Sequence, residues 1–98
     1  MADLRPIGVF DSGLGGLTVV KALRNILPNE SIVYFGDTAR VPYGNKSQEL
    51  IQEYSREITH FLIKNDAKLI VVACNTASAL ALNELQSNTS IPVIGVID

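Results

Sequence analysis

"VVACNTASAL", residues 71–80, decides how the chain reads as a fold. A continuous apolar run breaks at Cys74, Asn75 and Thr76 into a segment rich in Ala and Leu. The run before the break suits a strand, and residues 76–86 suit a helix. A strand that feeds directly into a helix is half of a βαβ unit, and such units build parallel sheets. Three more apolar runs, at residues 7–10, 32–35 and 93–97, join the one at 69–73. They do not alternate with polar residues, as expected of strands covered on both faces.

Helical patterns separate the runs. Leu17, Val20, Leu23 and Leu27 form one stripe, closed by Pro28 and Asn29. Leu50, Tyr54, Ile58, Phe61 and Leu62 form a second, preceded by Asn45, Lys46 and Ser47 as N-cap choices. The order β-α-β-α-β-α-β predicts right-handed crossovers and a doubly wound α/β domain over residues 1–98, flavodoxin-like, with helices on both faces of a mainly parallel sheet. The last apolar run has no helix after it, which suggests an incomplete domain.

Composition narrows the function classes. The 98 residues are 47% hydrophobic and 18% charged, as in a compact globular domain. A net charge of -2 with scattered Lys and Arg argues against a nucleic-acid surface. The apolar runs are strand-sized, so no membrane span or secretory leader is expected, and a cytoplasmic protein is the expectation. The single cysteine excludes an internal disulfide. His60, the only histidine, lies beside the second stripe and reads as a surface residue, leaving no basis for a metal site. None of the four lysines sits at a strand end, so a pyridoxal Schiff base is not indicated.

Three polar, turn-rich segments follow strands: "FDSGLGG" (10–16), "FGDTARVPYGNKS" (35–47) and "ACNTA" (73–77). In a parallel sheet all three emerge at the carboxyl edge, where open α/β folds bind ligands. A flavodoxin-like order would bring Asp11 and Ser12 beside Cys74, Asn75 and Thr76 at one crevice. The first segment does not spell G-x-G-x-x-G, because Thr18 stands at the third glycine position, and no G-K-S/T is present. It reads either as a turn in which Asp11 or Ser12 caps a helix, or as an anion site at a helix start. In the second, Tyr43 follows Pro42 and precedes Gly44; it either offers its hydroxyl to a ligand or packs its ring on the loop surface. Asp37 and Arg40 are placed to pair. In the third, Cys74 stands at a strand end and a helix start, where N–H groups and the helix dipole favour a thiolate. Asn75 and Thr76 can cap that helix or donate to an anion beside the sulfur.

"GVFDSGLGGLTV", "YFGDTARVPYGNKS" and "VVACNTASA", in this order and spacing, resemble the N-terminal part of bacterial glutamate racemases, members of the aspartate/glutamate racemase superfamily. The resemblance covers essentially the whole chain. It implies cofactor-independent interconversion of L- and D-glutamate, supplying D-glutamate for peptidoglycan, by two thiols on opposite faces of the α-carbon. It makes Cys74 the first thiol, gives Asp11 a part in proton transfer, and gives substrate binding to Ser12, Tyr43, Gly44, Asn75 and Thr76. It also implies a second domain, absent from this chain, that carries the other thiol and without which the chain is inactive. A homodimer is a further partner expectation, since such racemases often dimerise. Two rival readings are a single-cysteine decarboxylase-like relative and a non-catalytic module that binds phosphate or another anion, with Cys74 as a core thiol.

Overall fold

The computed structural model describes residues 4–13, 16–40 and 42–95. Seven principal elements follow in chain order: β1 (Ile7–Asp11), α1 (Gly16–Ile26), β2 (Ile32–Gly36), α2 (Gln48–Lys64), β3 (Leu69–Val72), α3 (Asn75–Asn88) and β4 (Val93–Gly95). Two short 3-10 turns, Thr38–Arg40 and Tyr43–Asn45, lie between β2 and α2. The strands pair in parallel in the order β2-β1-β3-β4. This is the flavodoxin-like order, with the switch point between β1 and β3.

Alternation along β1 sends its side chains to two faces. Ile7 and Val9 pack with Val71 and Ala73 against Val19, Val20 and Leu23 of α1. Phe10, Ile70, Val72 and Val93 face the other way, against Ile51, Ile58 and Leu62 of α2 and Ala77, Ala81 and Leu85 of α3. One helix therefore covers one face and two helices cover the other. Phe10 is in register with Phe35 on β2 and Val72 on β3, so the strand ends are level at the carboxyl edge.

The helix stripes face the sheet only in part. Val20 and Leu23 face the sheet, but Leu17 is 66% exposed and Leu27 is 40% exposed. Leu17 lies in the first turn of α1 and Leu27 lies past its last residue. Val19 packs on the sheet in their place. Phe61 on α2 is also half-exposed, its ring set edge-on to Phe35 with centroids 5.5 Å apart. Of the three N-cap choices for α2, Ser47 is the one used, its Oγ accepting from the Leu50 N–H at 3.2 Å. The α3 helix starts one residue earlier than expected, at Asn75, so Cys74 is its N-cap residue. Neither Asn75 nor Thr76 caps it. Residues 96–97 of the last apolar run lie outside the described residues. Among those described, no helix is long and apolar enough to cross a membrane.

Burial predicts different costs for two leucines. Leu62 is fully buried, so Leu62→Ala should lower the unfolding free energy by about 2–5 kcal/mol in urea titration. The same change at exposed Leu17 should cost no more than about 0.5 kcal/mol.

Candidate active-site edge

The first connector is organised by one carboxylate. Asp11, the last residue of β1, is completely buried. Its Oδ1 accepts from the Gly13 N–H at 2.9 Å and the Tyr34 hydroxyl at 2.8 Å, and its Oδ2 accepts from the Gly16 N–H at 2.5 Å. Gly16 is the first residue of α1, so Asp11 caps that helix, and the choice between Asp11 and Ser12 resolves to Asp11. Glycine is required at both N–H donors. Gly13 has φ +98°, in the left-handed region, and a Cβ on Gly16 would stand 2.1 Å from Asp11 Oδ2. Ser12 is buried beside this turn. Leu14 and Gly15 lie outside the described residues.

The second connector is pinned by Asp37, also buried. Its N–H donates to the Asp11 carbonyl at 3.0 Å, which ties the connector to the end of β1. Its Oδ2 accepts from Arg40 Nε at 2.8 Å, the pairing expected from the sequence, and from the Tyr43 hydroxyl. Arg40 reaches on to Glu57 Oε1 at 2.5 Å and lies over the Tyr54 ring at 3.9 Å. Tyr43 is not a surface tyrosine: it is 2% exposed and belongs to the core beside α2 and α3. Burial first, then the bond to Asp37, push its phenol far above the ordinary value of 10.0, so it stays a donor. That donor is committed to Asp37. Gly44, by contrast, is exposed and has open space around its α-carbon.

The third connector is the shortest. The Ala73 N–H donates to the Phe10 carbonyl at 2.8 Å, extending the β1–β3 ladder by one bond. Cys74 then takes extended backbone angles, φ -101° and ψ 125°, and its carbonyl accepts from the Ser78 N–H at 2.8 Å. It is 7% exposed and packs in the same cluster as Phe10 and Tyr43. Asn75 is exposed and Thr76 half-buried in the first turn of α3, where backbone N–H groups lack helical partners.

The structure thus gathers the sequence candidates at one sheet edge but divides them by face. Asp11 shares the phase of Ile7 and Val9 and points to the α1 side, whereas Cys74 and Tyr43 lie on the α2 and α3 side. Sequence reading missed Tyr34. The available signal was a tyrosine in an otherwise apolar strand, whose hydroxyl needs a partner once buried. His60 lies elsewhere, exposed beside a cavity of about 270 Å³ between α2 and α3 that none of the sequence candidates lines. Among the described residues no three His, Cys, Asp or Glu side chains converge as a metal site.

In a doubly wound parallel sheet, the connectors of two adjacent strands at the switch point are where open α/β folds bind ligands. The profile of the Asp/Glu/hydantoin racemases matches residues 8–98, and the chain belongs to that family. Glutamate racemase of Geobacter metallireducens is 62% identical over 94 residues, covering 96% of this chain and 35% of the relative. That of Chlorobaculum tepidum is 63% identical over 93 residues, covering 94% and 34%. The crystal structure of glutamate racemase from Thermus thermophilus in complex with β-chloro-D-alanine superposes with a TM-score of 0.91 at 58% identity, covering 94% of this chain and 36% of that one. The one from Francisella tularensis in complex with D-glutamate gives 0.89 at 56%, covering 96% and 36%. The chain spans about a third of the length of the curated relatives it matches.

Two glycines in these connectors should respond oppositely to a methyl group. Gly16→Ala drives a Cβ into Asp11 and should destabilise by about 1–3 kcal/mol. Gly44→Ala meets nothing within 4 Å and should stay within about 0.5 kcal/mol. Denaturant unfolding of both variants against the parent chain checks the contrast.

Proposed function

We propose that the chain carries the first of two acid–base thiols of a glutamate racemase that works without a cofactor. The observation that carries this reading is the position of Cys74, an N-cap thiol at the end of β3 beside the Asp11 connector of β1. Relatives more than half identical over nearly all of this chain are glutamate racemases, which supports the substrate.

The chemistry asks for this arrangement. The α-proton of an amino acid is a very weak acid, so its removal needs a positioned base and dense stabilisation of the charge that develops. Cys74 takes or returns that proton on one face. The unpaired N–H groups at the start of α3, with the side chains of Asn75 and Thr76, hold a carboxylate of the substrate. The open backbone at Gly44 and the Ser12 hydroxyl contribute further contacts. Tyr43 contributes by shaping the loop, its hydroxyl being bound to Asp37. Asp11 fixes the glycine turn at the end of the strand next to β3, and its part in proton transfer is exerted through that turn. Inversion requires a donor on the opposite face, and the only cysteine here is Cys74. The second thiol therefore comes from residues outside these 98, in a second domain. The product D-glutamate would feed peptidoglycan synthesis in the cytoplasm.

Circular dichroism of L-glutamate over time tests the reading. The chain alone should leave the signal flat. Co-expression with the remaining two thirds of the Geobacter metallireducens relative should bring turnover, and Cys74→Ala should abolish it. Racemisation by the chain alone would overturn the two-thiol scheme, and turnover that survives Cys74→Ala would remove Cys74 from it.

A further inference from the structure

We infer that Tyr34 is a positioning residue for the reaction, acting through the carboxylate of Asp11. The inference rests on the part given to Asp11 under the proposed function.

The geometry begins in the strand register. Tyr34 is paired with Val9, and Gly36 with Asp11. Residues two apart on a strand share a face, so Tyr34, Gly36, Val9 and Asp11 all lie on the α1 side. The Tyr34 ring packs in the cluster of Ile7, Val9 and Val71, and its hydroxyl reaches the carboxyl edge past Gly36. A Cβ at Gly36 would stand 2.9 Å from the Tyr34 hydroxyl oxygen and 3.3 Å from two ring carbons. The glycine leaves that path open. At its end the hydroxyl donates to Asp11 Oδ1 at 2.8 Å.

The three donors to Asp11 are not equivalent. The Gly13 N–H belongs to the connector that Asp11 itself organises, and the Gly16 N–H opens α1. Tyr34 is anchored in the sheet. Its hydroxyl is the one side-chain donor among the three, and it ties the carboxylate at the end of β1 to β2. Burial, then the hydrogen bond and charge of Asp11, push the Tyr34 phenol up to about 12, so it remains a donor through neutral pH. Sequence alternatives that only fill space lack this property. Phenylalanine would keep the ring in its cluster and remove the donor alone, which makes Tyr34→Phe a clean variant.

The test uses the reconstituted racemase and the 98-residue chain together. In the racemase, Tyr34→Phe should lower kcat about tenfold, the effect of one hydrogen bond to a charged group, with KM within about twofold. In an Asp11→Asn background the same substitution should leave the residual kcat unchanged, because the two residues act as one unit. In the isotopically labelled chain, Tyr34→Phe should move the amide resonances of Gly13 and Gly16, and the thermal midpoint should fall by several degrees with the transition still cooperative, as for one lost hydrogen bond to a buried carboxylate. Unchanged kcat, a rise in KM at constant kcat, or an equal loss in the Asp11→Asn background would each overturn the inference. If the reconstituted protein with Tyr34 intact does not racemise glutamate, the proposed function falls instead. The glycine amides then decide alone: unmoved resonances overturn the Tyr34 assignment, and shifted ones support the hold on Asp11.

Discussion

The buried carboxylate of Asp11 is the fixed point of the carboxyl edge. A charged group with no solvent contact is tolerated only when its oxygens are met by donors, and here the donors come from three places: the turn at Gly13, the start of α1 at Gly16, and β2 at Tyr34. That requirement dictates much of what surrounds it. Two glycines are forced by conformation or by clearance, and a third lets Tyr34 pass. The Asp11 carbonyl also receives the Asp37 N–H, so the second connector is hung from the same residue.

Cys74 inherits its position from this frame through the β1–β3 pairing. The ladder runs one bond past the last paired residue of β3, to Ala73, and leaves a single extended residue before α3 begins. The thiol is therefore held by backbone on both sides, with Tyr43 and the Asp37–Arg40 network packed on its own face. Parallel strands with level ends convert three separate sequence segments into one edge. The helix starts there supply N–H groups without any dedicated side chain.

Much of this was legible in the sequence because it depends on short-range patterns. The four apolar runs named the strands, and the absence of alternation along them announced two covered faces. The flavodoxin-like strand order was an expectation from the repeated β-α pattern, and the pairing β2-β1-β3-β4 agrees with it. Four things were hidden. Asn75 and Thr76 are good capping types, yet the helix starts a residue earlier, because where the ladder bond of Ala73 falls is a tertiary matter. The stripe of Leu17, Val20, Leu23 and Leu27 has helical spacing, but spacing does not say which turns overhang the sheet. Tyr43 looked like a loop tyrosine because its partner Asp37 lies in an irregular connector with no period to read. Tyr34 escaped notice because an aromatic in a strand is ordinary until its register with Gly36 and Asp11 is known.

The central claim is that the connectors of β1, β2 and β3 form one face of a glutamate site around Cys74. Titrating isotopically labelled chain with L- or D-glutamate, and following backbone amide resonances, tests it most directly. The account predicts shifts grouped at Asp11 to Gly13, at Tyr43 and Gly44, and at Cys74 to Thr76, with the distant cavity at Thr59 and Leu85 unaffected. Shifts centred on that cavity, or none at the three connectors at saturating glutamate, would contradict it.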